Sequence, residues 1–194
     1  MRYTNQAGLN GYQLRCIMAR GEIASVFLDE QNPDNFMAGY VRAVNERQAL
    51  LESITPWGRF DGFLAVRLDA ILNIMSGDEY ENRLQRLVEL NAQTAQPLSV
   101  DVNGDLMRGL LASALKEGRV VTLWDEADAV SALVEGVDEL HVRLRPLSYM
   151  GEPMAPSILR MRDVQLISLG SEEENMYQIL CDNAGYYAGP KKLL

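Results

Sequence analysis

Apolar residues recur at helical spacing through Leu106, Leu110, Leu111, Ala114 and Leu115 and stop short of Gly118, which predicts a helix with one apolar stripe and a glycine at its end. A fainter copy, Leu9, Leu14 and Met18, precedes Gly21 and is interrupted by Gly11. Behind each stripe come short runs rich in β-branched and aromatic residues, separated by turn formers. The first set covers 22–29, 36–45, 48–55, 62–68 and 70–75, and the second covers 119–125, 130–137, 140–148, 157–161 and 163–168. Each run predicts a strand, five in each half. A closing helix follows each set, because Asp78-x-x-Glu81 and Ser171-x-x-Glu174 have the spacing of a capping box and place acidic side chains at the positive end of the helix dipole.

The two sets are copies. At an offset of 93, residues 44–87 align with 137–180 without a gap, and 12 of the 44 positions are identical, among them Gly58/Gly151, Arg67/Arg160, Gly77/Gly170, Glu81/Glu174 and Leu87/Leu180. Unrelated segments would share about three. Upstream the offset becomes 97, pairing Gly21 with Gly118, Ile23 with Val120 and Phe27 with Trp124. The four extra residues of the first copy are expected around 31–35, where turn-forming residues mark a surface loop of variable length.

Five short strands make a sheet too small to stack on another, and curling into a small barrel buries its apolar face most simply. The expected fold is therefore mainly β with α. It consists of two tandem five-stranded barrels, each preceded by a helix and followed by a short helix, in 1–95 and 96–194, with 91–103 as the connection. One continuous α+β domain with a shared core is the alternative.

Length and composition agree with a packed chain: 194 residues, 47% hydrophobic and 23% charged. No apolar stretch reaches the roughly 20 residues of a membrane span, and the first residues lack a secretory apolar core; a cytoplasmic location is expected, with no membrane partner. The net charge of −9 disfavours DNA and broad attraction to any polyanion. Two cysteines, Cys16 and Cys181, and one histidine, His141, are too few for a structural zinc site within one chain. They are expected to be two buried, reduced thiols and a strand histidine with no catalytic role.

The last two strands of each half carry a motif. Ala65-Val66-Arg67 with Ile71 and Ile74 behind it, and Ile158-Leu159-Arg160 with Val164 and Ile167, resemble the Sm-like class of small β-barrels over 9–76 and 106–169. Leu68 and Met161 stand where the Sm pattern has glycine. The tandem arrangement also resembles uncharacterised bacterial proteins with an Asp-Gly-Phe block before the fourth strand, as in Phe60-Asp61-Gly62-Phe63. The Sm resemblance implies an SH3-like barrel and, for Arg67 and Arg160, a pocket where a guanidinium stacks on a single-stranded RNA base. The residues themselves support a plainer role, in which each arginine pairs with a nearby carboxylate such as Glu46 or Glu139. The expected function is a non-enzymatic binding or assembly module acting on a protein partner or on itself; RNA association is the alternative. No catalytic, cofactor or metal residue is assigned.

Other features read plainly. Asp101 to Asp105 begins like a calcium loop but lacks the required glycine and the final glutamate, so it is expected to be a turn capping the next helix. Trp57 lies in a turn, as packing or as an interface anchor, and Trp124 in the core. Tyr186 and Tyr187 belong to a terminal tail.

Overall fold

A computed structural model describes residues 6–29, 36–93, 100–101, 104–125 and 128–183. The first half runs α1 (Gln6–Arg20), β1 (Ile23–Phe27), β2 (Phe36–Val44), β3 (Gln48–Ile54), β4 (Phe60–Arg67), β5 (Asn73–Met75) and α2 (Glu79–Leu90). The second runs α3 (Leu106–Glu117), β6 (Val120–Trp124), β7 (Ala129–Val137), β8 (His141–Pro146), β9 (Ser157–Arg160), a 3₁₀ turn (Met161–Asp163), β10 (Leu166–Leu169) and α4 (Glu172–Asp182). The loop at 31–35, most of the connection and the tyrosine tail lie outside the described residues.

The helices start where the capping residues put them. Ser171 and Glu174 exchange both capping bonds at the head of α4, at 2.9 and 3.2 Å. At α2 the Asp78 amide donates to Glu81 at 3.2 Å. Asp105 accepts from the Arg108 amide at 2.9 Å and caps α3, the role expected for the end of the 101–105 stretch.

All ten strands form one antiparallel sheet in the order β5-β1-β2-β3-β4-β10-β6-β7-β8-β9. The described residues are thus mixed α/β, with four α-helices and one large open sheet, and among them the strands do not divide into two separate sheets. The join is β4 on β10, from Val66 opposite Leu166 to Phe63 opposite Leu169. Nothing local announces it, because β4 is apolar and buried from Gly62 to Val66, and such a strand reads alike with one neighbour or two.

The strand order of one half is that of the other. The registers also coincide: Gly39 opposite Ser53 through Val44 opposite Ala49 becomes Ala132 opposite Pro146 through Val137 opposite Val142. The bulges fall at equivalent places, between Val41 and Ala43 and between Val134 and Gly136. Phe27 pairs with Phe36 and Trp124 with Ala129, so the change of offset falls between these strands.

One buried cluster draws on both halves. Leu106, Leu110, Leu111 and Ala114 of α3 pack on Leu50, Phe63 and Ala65 from the first half and on Leu123, Leu144 and Ile167 from the second. A fully buried leucine there contributes about 2 kcal/mol relative to exposure. Leu14 and Ile17 of α1 head a second cluster, which reaches Leu166. Leu84 and Val88 of α2 cover Ile23, Ala38 and Ile54 in a third, rimmed by Phe36, Tyr40, Phe60 and Tyr80.

Candidate functional site

Arg67 ends β4, and its guanidinium grips Asp69 with both prongs, Nε to Oδ1 at 2.9 Å and Nη2 to Oδ2 at 2.6 Å. Its Nη1 donates to the Arg162 carbonyl oxygen. Arg160 ends β9 and donates from Nε to Asp163 at 2.6 Å. The carboxylate partners are thus Asp69 and Asp163, where the sequence pointed to Glu46 or Glu139; Glu139 instead lies 3.9 Å from Arg108. The reason is local: the chain turns sharply after each arginine, which folds the next aspartate back onto the guanidinium. The Arg67 hydrogen bonds hold the Asp69 carboxyl below its ordinary value.

A polar cleft of about 520 Å³ gathers Arg67, Asp69, Asp125, Arg162 and Asp163. It brings Arg67 together with the aspartate that holds Arg160. Two guanidinium groups face three carboxylates there, whereas a track for single-stranded nucleic acid is lined with positive charge and aromatic rings.

The Asp-Gly-Phe block sits at the join between the halves. Asp61 Oδ1 accepts from the Glu172 amide at 2.6 Å, at the positive end of α4. Gly62 has φ +72°, and a Cβ there would lie 2.4 Å from the Leu169 carbonyl oxygen. This block closes the β4–β10 junction, a role invisible in the sequence because its partners lie more than 100 residues away.

Among the described residues the sheet has two ends. At one, β5 pairs on one side with β1; at the other, β9 pairs on one side with β8. Along β9, Ile158 is 66% exposed. These ends are the repeat counterparts of the strands joined inside the sheet, since β9 corresponds to β4 and β5 to β10.

The remaining candidates are dispersed. His141 is exposed on β8, 3.7 Å from Asp138. Cys16 and Cys181 are unbridged and partly buried, and burial raises the Cys181 thiol. Among the described residues no three metal-ligating side chains converge, and no helix is long and apolar enough to cross a membrane. Trp57 is 70% exposed in its turn, while Trp124 packs against the α1 cluster.

Comparison with known proteins finds no matching family model, no matching curated protein and no matching solved structure.

Proposed function

We propose that the chain is a non-enzymatic assembly module, built from two copies of an Sm-like five-stranded unit, that joins further copies of itself edge to edge. The observation that carries this reading is the β4–β10 junction. Inside the chain, the fourth strand of one unit pairs with the fifth strand of the next. Among the described residues the outer ends of the sheet are the fifth strand of the first unit, where the Ile74 carbonyl oxygen accepts from Gln13 Nε2 at 3.1 Å, and the fourth strand of the second, the counterparts of the two strands joined inside. An edge strand offers a row of backbone donors and acceptors that a further strand satisfies.

The internal register transfers directly. Val66 opposite Leu166, Ala65 opposite Ile167 and Leu64 opposite Ser168 become Leu159 opposite Asn73, Ile158 opposite Ile74 and Ser157 opposite Met75 of the next copy. Such head-to-tail pairing is heterologous, so it closes into a ring or runs on as a filament. The RNA reading draws no support from the arginine cleft, where both guanidinium groups already meet acidic groups.

Light scattering after size exclusion tests the proposal. The mass of the wild-type chain is expected to rise above one copy with concentration, and Ile158→Pro, which puts a non-donating residue on the edge, is expected to hold it at one copy. A wild-type chain that stays monomeric at high concentration contradicts the reading.

A further inference from the structure

The two halves share registers and caps but not the space between the closing helix and the sheet. In the first half that space is filled by aromatic rings: Phe36 stacks on Phe27 with centroids 5.0 Å apart, and Tyr80 meets Phe36 edge-on at 5.1 Å. Leu84, Ala38 and Ile54 complete the cluster. At the equivalent places the second half has Ala129 for Phe36, Glu173 for Tyr80, Tyr177 for Leu84, Ser131 for Ala38 and Leu147 for Ile54. Trp124 alone keeps a ring where Phe27 stands. These six residues line a cleft of about 610 Å³, the volume range of small-molecule sites.

From this we infer that the second half holds a binding site for a small aromatic ammonium compound, with its ring on Trp124 and its cationic nitrogen toward Glu173. The ring follows from the first half, where Phe36 stacks on Phe27; at the place of Phe36 the second half has Ala129, which brings no ring, and Trp124 lines the cleft there. The charge follows from the substitution of Tyr80 by Glu173, which puts a carboxylate beside the place a ring would occupy. Asp125 and Asp128 add to the same sign, and among the described lining residues none is basic. A cation over Trp124 gains further from the indole face, and the Tyr177, Ser131 and Thr122 hydroxyls lie at the cleft wall. Thr122 and Ser131 already bond each other at 3.1 Å, which fixes that wall.

This site is independent of the strand edges, and its test is separate. Trp57→Phe leaves Trp124 as the sole tryptophan of the full chain. Titration with 2-phenylethylammonium is expected to change its emission saturably, with a Kd on the order of 0.1–1 mM for so small a ligand. The neutral isostere 2-phenylethanol is expected to bind about tenfold more weakly, and phenylacetate not to saturate. Glu173→Gln is expected to lower the amine affinity about fivefold and leave that of the alcohol unchanged. Ala129→Phe, which restores the first half's own filling, is expected to abolish binding while the chain stays folded. Ligand-observed NMR on the same proteins reads occupancy without relying on the fluorophore. Equal binding of amine and alcohol, absence of saturable amine binding by both methods, or undiminished binding to Ala129→Phe would overturn the inference.

Discussion

Arg42 and Glu52 form an ion pair across β2 and β3, and the second half carries the same pair with its charges exchanged. Arg42 sits on the bulge of β2 and donates from Nε to the fully buried Glu52 carboxylate at 2.8 Å. Glu135 occupies the equivalent bulge and accepts from Arg145 Nε at 2.8 Å. The bulge directs one side chain toward the opposite strand, and the site requires opposite charges more than a particular order of them.

Removing one member of the buried pair should therefore cost more than removing either member of the exposed one. Arg42→Ala leaves Glu52 buried without its cation and is expected to destabilise by about 2–3 kcal/mol, below the full cost of an enclosed pair because the arginine is partly solvated. Arg145→Ala, where Glu135 is better exposed, is expected to lose no more than about 1 kcal/mol. The double exchange Arg42→Glu with Glu52→Arg should recover most of the first loss. Urea denaturation of the four proteins checks this, and a double exchange no better than Arg42→Ala contradicts it.

Gly58 and Gly151 adopt φ of +71° and +74°, and a Cβ at either would lie 2.3 or 2.4 Å from the Cβ of Leu87 or Leu180. The glycine and the leucine of each helix are one contact made twice, which explains why both are retained at the offset of 93. Gly58→Ala and Gly151→Ala each combine left-handed strain with overpacking and are expected to cost about 2–4 kcal/mol in thermal or urea unfolding. A loss under about 1 kcal/mol would show that the turn relaxes freely.

Glu174 is buried, and burial raises its carboxyl above the ordinary glutamate value against the opposing bonds from Ser168, Ser171 and Thr122. Between the ordinary and the raised value the folded chain binds more protons than the unfolded one, so this group's contribution to stability falls as pH rises through that window. Glu174→Gln keeps a capping side chain and removes the titration. The stability difference between variant and wild type is expected to shift in favour of the variant as pH rises from mildly acidic to neutral. A difference independent of pH would place the Glu174 titration at its ordinary value.

Much of the fold was legible in local pattern. Capping spacing placed the heads of α2 and α4, and the two offsets anticipated both the matching registers and the change between β1 and β2. The boundaries slipped where turns intrude: the run 70–75 became β5 at Asn73–Met75, because the first residues are spent turning after Arg67. The β4–β10 join was hidden because it depends on which strands meet across 100 residues. Asp69 and Asp163 were missed as arginine partners because a strand pattern says nothing of how sharply the next turn folds back. The cleft beside Trp124 left a trace in the sequence, the loss of Phe36 and Tyr80 between copies, but only the packing of the first half shows what those rings fill.

The edge-pairing account is tested most directly by covalent capture of its register. In a chain with Cys16→Ser and Cys181→Ala, Met75→Cys and Ser157→Cys lie opposite each other only if β5 of one copy continues the sheet beyond β9 of another. Mild oxidation should then give a ladder of disulfide-linked multimers on a denaturing gel, while Met75→Cys with Ile158→Cys, one residue out of register, should give little. Monomer alone from the first pair, or equal ladders from both, would contradict the account.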